Sequence, residues 1–178
     1  IIQDNGERRM ADKTRIVSSS HLVSERAAEL SELEFALILS GNAFNRWMVR
    51  CMRAAGMPDV SVLDILVLHN VNSREREKSL SEVCFVLNVE DSHLVNYSLK
   101  KLRKLGLVEG VKRGKEVHYA TTADGRDMCE KYRQVREDCL VETFQRLGVN
   151  SEEVGDVAKT LRAISGVYDQ ASRAASSI

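Results

Sequence analysis

The stretch from Val89 to Thr122 constrains this chain more than any other. Leu94, Val95, Leu99, Leu102 and Leu105 recur at steps of three and four, which predicts a helix with one buried face. The opposite face carries Ser92, His93, Asn96, Tyr97, Lys100, Arg103 and Lys104. Asp91 or Ser92 suits the N-cap, where a side-chain oxygen accepts from an orphan amide. Gly106 suits the stop, because a left-handed residue there costs glycine nothing. Leu107–Val111 and Glu116–Thr121 then read as two strands around a basic tip, Lys112-Arg113-Gly114-Lys115. A helix with a polar outer face that runs straight into a basic-tipped hairpin has the layout of a winged helix-turn-helix. Such a module sets its helix in the DNA major groove and its hairpin against the backbone or minor groove.

Charge supports this reading by its distribution. The chain of 178 residues has 26 cations and 26 acids, so its formal net charge is zero. A neutral total argues against indiscriminate polyanion binding and leaves room for a local basic patch. From Ser92 to Lys115 there are seven cations, Lys100, Lys101, Arg103, Lys104, Lys112, Arg113 and Lys115, against one acid, Glu109. The acids concentrate near residues 25–34 and 124–156.

The rest of the chain reads as helix. With 43% apolar residues, 29% charged and a single proline, the composition is that of a globular, α-rich protein. Residues 1–20 are polar and read as a flexible arm. Ser24 to Ala55 carries a long helical stripe (Leu30, Leu33, Leu37, Ile38, Phe44, Trp47, Met48, Cys51, Met52), with a kink expected at Gly41-Asn42. That much apolar surface calls for a partner chain. Pro58 suits the first turn of a buried helix reaching about Asn72. Residues 72–78 form a charged connector, and Ser79 caps a short positioning helix with Leu80, Val83, Cys84 and Leu87. Asn88 tolerates the turn into the recognition helix. A helix from Thr122 to Leu147 and another from Ser151 past Tyr168 follow, with the tail from Ala171 frayed. The expected division is a 1–20 arm, a 58–122 winged-helix DNA-binding region, and a helical dimerisation region made of 21–57 and 123–178.

Two strings resemble the MarR family of bacterial transcription regulators. Leu102-Arg103-Lys104-Leu105-Gly106-Leu107-Val108 is similar to that family's leucine, polar stretch and Gly-Leu-Val, and Tyr119-Ala120-Thr121-Thr122-Ala123-Asp124-Gly125-Arg126 to its L-T-x-x-G junction. The resemblance spans about Leu33 to Tyr168. It implies a homodimer whose terminal helices interlock, two winged-helix lobes on a palindromic site, and repression relieved by a small ligand. In the family an Asp-x-Arg motif usually sits in the wing, its arginine entering the minor groove. Here the wing reads Val111-Lys112-Arg113-Gly114-Lys115-Glu116, and Arg113 is the nearest substitute by position.

The site expected is therefore a DNA interface. Ser92, His93, Asn96 and Tyr97 sit where base edges are read, and Asn96 could pair with adenine through two bonds. Lys100, Arg103 and Lys104, with Lys112, Arg113 and Lys115 of the wing, would meet phosphates. An effector pocket would be walled by Trp47, Met48, Met52, His69 and Tyr132, all of which read equally as core. The histidines are scattered, and no H-E-x-x-H, G-x-S-x-G or phosphate loop is present, so neither catalysis, metal nor cofactor is expected. Cys51, Cys84, Cys129 and Cys139 have no zinc spacing, and Cys84 falls on an apolar stripe. With no secretory signal and no apolar run of membrane length, the expected setting is the cytoplasm, away from the membrane. The competing reading is a winged-helix module whose basic face docks a protein or RNA.

Overall fold

The computed structural model describes residues 20–24 and 26–178; the expected N-terminal arm lies almost wholly outside them. The chain is mainly helical with a small three-stranded antiparallel sheet. It divides into two compact units, one ending at Cys129 and one spanning Glu130–Ile178.

In the first unit α1 (Ala28–Ala54) is uninterrupted, so the kink expected at Gly41-Asn42 does not occur. The hydrogen-bond ladder on either side tolerates one glycine at a cost of about 1 kcal/mol. Next comes α2 (Val62–Asn72), apolar on nearly every side, as a helix at the centre of a core must be. Its Ile65, Val67, Leu68 and Val71 are fully buried or nearly so. Ser61, not Pro58, sets its start. The Ser61 hydroxyl accepts from the Asp64 amide at 3.2 Å, and the Asp64 carboxylate accepts from the Ser61 amide at 2.8 Å. This reciprocal capping box satisfies two donors that a helix start otherwise leaves open.

The end of α2 is closed by a residue from further along the chain. Lys78 is buried, and its ammonium donates to the carbonyls of Asn70 (2.6 Å), Val71 (3.2 Å) and Ser73. A cation at a helix C-terminus also meets the negative end of the macrodipole. Between them the chain turns through Arg74 and Glu75, both left-handed (φ 62° and 47°). The connector read as a plain charged loop is thus a folded turn. It leads into a strand the sequence pattern does not reveal, β1 (Lys78–Ser79), which pairs with the wing.

Ser79 caps α3 (Leu80–Leu87) through a second capping box with Glu82, and Asn88 ends it in the left-handed region (φ 53°). Asp91 caps α4 (Ser92–Lys104), accepting from the His93 amide at 2.9 Å. The helix α4 packs on α2 and α3 and buries Val95, Ser98, Leu99 and Leu102. Leu94 and Leu105, expected on the same face, are exposed. At 100° per residue they fall about 70–90° from the centre of the buried stripe. Gly106 (φ 75°) stops the helix, and the amides of Gly106 and Leu107 donate back to Arg103 and Leu102. That is the Schellman pattern, which satisfies the last carbonyls.

The hairpin is β2 (Val108–Arg113) and β3 (Glu116–Thr121), joined by Gly114-Lys115. The first strand runs two residues beyond its expected end, so Lys112 and Arg113 lie in the ladder and not in the tip. Strand order is β1-β3-β2, with Val108 opposite Thr121, Arg113 opposite Glu116 and Lys78 opposite Tyr119.

The next helix, α5 (Ala123–Arg136), starts against the end of α4. The Thr122 hydroxyl donates to the Gly106 carbonyl at 2.6 Å and accepts from the Gly125 amide at 3.0 Å. A Cβ on Gly125 would stand 2.0 Å from the Leu107 carbonyl oxygen, so the backbones approach to a distance only glycine permits. The Thr-x-x-Gly string is therefore a cap plus a close approach.

The second unit holds the last turns of α5, a π-helical segment Glu137–Val141, α6 (Glu142–Arg146) and α7 (Ser151–Ala175). Gly148 is left-handed (φ 65°) after α6, and Asn150 caps α7. Helix α7 continues through Ala175, where fraying from Ala171 was expected. Val154, Val157, Leu161 and Val167 on α7, with Phe144 and Leu147 before it, are exposed.

Gly125→Ala is expected to lower stability by about 3 kcal/mol or more, since the overlap falls on backbone and not on a yielding side chain. Thermal unfolding should show it as a large fall in Tm.

Candidate nucleic-acid interface

The helix α4 turns its polar residues away from the core that holds it. Ser92, His93, Tyr97, Lys100, Arg103 and Lys104 are exposed and Asn96 is half-buried. Tyr97 leaves 71% of its surface open, the kind of unpartnered aromatic that a binding face carries.

Between the end of α4 and the base of the wing runs a cleft of about 550 Å³. Lys100, Arg103 and Lys104 line one side; Val108, Glu109 and Gly110 of β2 form the other. Arg103 lies across Gly110: a Cβ there would sit 3.3 Å from the guanidinium carbon and 3.1 Å from a Val117 methyl. The missing side chain at Gly110 gives the guanidinium a flat seat on the strand. Three cations of one helix thus line a groove that holds one acid, Glu109, a net positive arrangement fit for phosphates.

Two of the seven cations of this stretch are engaged within the fold. Lys101 lies on the flank of α4 away from Asn96 and Arg103, and its ammonium meets the Asp64 carboxylate at 2.7 Å. Asp64 is 2% exposed. Burial alone would raise its carboxyl, but hydrogen bonds led by Lys101 and the Ser61 amide outweigh burial and hold it below the ordinary 3.8. The same carboxylate therefore caps α2 and tethers α4. Arg113 does not reach out from the wing tip as its position in the sequence suggests. Its Nε and Nη2 donate to the two carboxylate oxygens of Glu77, each at 2.8 Å. Lys112 and Lys115 are exposed.

The five residues expected in an effector wall are divided between the two units, Tyr132 lying in the second and the other four in the first. Met48 and Met52 are core, Trp47 on the same helix and His69 on α2 are half-buried, and Tyr132 is buried. Burial lowers the His69 pKa. The 550 Å³ cleft and a second one of about 380 Å³, bounded by residues such as Asn72, Arg76, Thr121 and Arg126, include none of them. Burial raises the thiol pKa of Cys84, and that of Cys129 to about 11, which disfavours thiolate at both. Among the described residues no helix is long and apolar enough to cross a membrane, and no three His, Cys, Asp or Glu side chains converge for a metal.

Residues 60–125 match the family model of a winged helix DNA-binding domain. Solved structures extend the likeness beyond that segment. A MarR-family transcriptional regulator from Rhodococcus sp. RHA1 superposes with a TM-score of 0.63 at 17% identity, covering 75% of this chain and 91% of its own. FabT of Streptococcus pneumoniae, solved in complex with DNA, gives 0.58 at 21% identity, covering 77% and 94%. CouR of Rhodococcus jostii RHA1, solved with p-coumaroyl-CoA, gives 0.63 at 17% identity, covering 74% and 90%. The chain has the MarR fold. No curated protein sequence matches it. Within this MarR fold the sequence pattern pointed to α4, its caps and the wing. It did not point to Glu77, Gly110 or the Asp64–Lys101 pair. Of these, only the Ser61-x-x-Asp64 capping signature was visible locally.

Asp64→Asn should cost about 1–3 kcal/mol. Lys101, a third exposed, can turn to water, which keeps the loss below that of a fully buried pair. Because the folded carboxyl lies below its unfolded value, the pair's contribution is complete above about pH 4 and is lost as pH falls through the folded pKa. Acid titration followed by circular dichroism should show a shallower decline below pH 4 for Asp64→Asn than for the parent chain.

Proposed function

We propose that this chain is a sequence-specific regulator of transcription that binds double-stranded DNA. It would act as a homodimeric repressor on an inverted repeat, with binding relieved by a small ligand. One observation carries the reading: the exposed polar face of α4 and the three-cation groove beside it belong to a single rigid helix in the unit that also bears the wing. In this reading Ser92, His93, Asn96 and Tyr97 meet base edges, while Lys100, Arg103 and Lys104 with Lys112 and Lys115 meet phosphates. Asn96 is the residue suited to an adenine, by two parallel bonds worth about 1–3 kcal/mol of discrimination.

The twofold arrangement is supported by apolar surface left without cover. Leu30, Ile38, Leu39 and Phe44 are exposed on α1 of the first unit, and Val154, Val157, Leu161 and Val167 on α7 of the second. Helices that expose this many large apolar residues normally bury them in a partner. Ligand relief is supported by analogy to the coumaroyl-CoA complex of CouR alone.

Selection of bound duplexes from a random pool is expected to return an inverted repeat with half-sites about one helical turn apart. Affinity for that duplex should fall by about 10³–10⁵-fold between 50 and 200 mM salt if about 6–10 phosphates are contacted. A set of unrelated sequences bound equally well would sink the reading. Asn96→Ala is expected to relax the preference at one base position, whereas Arg103→Ala should weaken all duplexes alike and reduce the salt slope by about one.

A further inference from the structure

Arg113 is the wing residue best shaped to grip a phosphate, yet its grip is already filled. The guanidinium presents Nε and Nη2 as a planar fork, the geometry that binds a carboxylate or a phosphate by two parallel bonds. Both prongs go to Glu77 at 2.8 Å. The choice of partner is informative. Glu116 stands directly opposite Arg113 in the hairpin register, but the fork reaches Glu77, 36 residues back in the chain. Arg113 of β2 and Glu116 of β3 lie on the sheet face opposite buried Tyr119 and Thr121, so the arginine folds back over the outer surface of the sheet.

Glu77 is held in place for this. The residue after it, Lys78, is fixed by three carbonyls and by pairing of β1 with β3, so the Glu77 backbone cannot drift. Its carboxylate side chain is 29% exposed, less than half as open as the arginine's 61%. Hydrogen bonding from Arg113 holds the Glu77 carboxyl below its ordinary range, so it is charged at neutral pH. A duplex approaching the wing therefore meets an arginine already neutralised and a carboxylate beside it.

We propose that Glu77 is an internal competitor for the wing arginine, occupying the guanidinium fork that a DNA phosphate would otherwise take and so lowering duplex affinity by one contact. The inference rests on the DNA-binding reading above. It assigns Glu77 a role as a positioning residue: it sets which wing cations the DNA meets, leaving Lys112 and Lys115 and withholding Arg113. An exposed ion pair is individually weak, so the pair can open; the like charge that Glu77 leaves beside the phosphate is what disfavours the exchange.

The test uses the full chain and a random-sequence duplex at low salt, where phosphate contacts supply nearly all the affinity. Parent, Glu77→Gln, Arg113→Ala and the double variant are compared by fluorescence anisotropy across a salt series, with thermal unfolding recorded for each. One added phosphate contact makes the salt slope steeper by about 0.9, which at 0.1 M salt is about eightfold tighter binding for Glu77→Gln. Arg113→Ala alone should bind more weakly than the parent, by up to about eightfold, because it leaves the Glu77 carboxylate unpaired beside the duplex. In the double variant the gain of Glu77→Gln should vanish. If Glu77→Gln binds no tighter, or if its gain survives loss of Arg113, the competitor role is wrong while DNA binding stands. If the folded parent chain binds no duplex at all, both readings fall together.

Discussion

The interface depends on one carboxylate. Asp64 sits in the first turn of α2, where its Oδ2 closes the capping box with Ser61 and also accepts from Lys101 of α4. A buried acid this close to the core is costly unless it is paired and hydrogen-bonded, and here Oδ2 is both, while Oδ1 is buried without a hydrogen-bond partner among the described residues. The consequence is geometric. Packing of Val95, Leu99 and Leu102 fixes how deep α4 sits on α2, but apolar contacts are tolerant of sliding and rotation. A hydrogen-bonded ion pair on the flank is not. It pins the rotation of α4 about its own axis, and that rotation decides whether His93, Tyr97, Lys100 and Lys104 face outward.

The same logic operates at the other end of α2. Lys78 gathers the terminal carbonyls of that helix and, as part of β1, pairs with β3. The helix that carries α4 at its start thus carries the wing at its end. The two parts of the interface are referenced to one rigid element, and the groove between Arg103 and Gly110 is the place where the two references meet. Arg103 can lie flat there because Gly110 offers no Cβ, and Gly125 lets the chain leave the wing against Leu107 at still closer range.

What could be read in advance follows from range. Caps at Ser79 and Asp91, the left-handed stops at Asn88 and Gly106, and the recognition helix itself are decided within four or five residues, and the pattern exposes them. The winged-helix class followed from the order of these local signals. Lys101 and Arg113 could not be assigned this way. Their acids lie 37 and 36 residues upstream, and a list of cations does not say which are already paired. The strand β1 was hidden for a different reason: two residues are too few to show alternation. The expected kink at Gly41-Asn42 shows the limit of local propensity, since one glycine in a helix of 27 residues is outweighed by its neighbours.

Counting charge over a stretch of sequence therefore overstates what a duplex would feel. Seven cations between Ser92 and Lys115 suggest a strongly positive face, but one is an internal strut and one is neutralised by a fixed acid. The five left divide by what holds them. Lys100, Arg103 and Lys104 ride on a helix anchored at both flanks, and Arg103 is seated on backbone. Lys112 and Lys115 stand on a hairpin close to its turn. Preorganised cations lose little freedom on binding and so return more of their electrostatic gain than mobile ones. The groove at the end of α4, more than the tip of the wing, is where phosphate contact would contribute most.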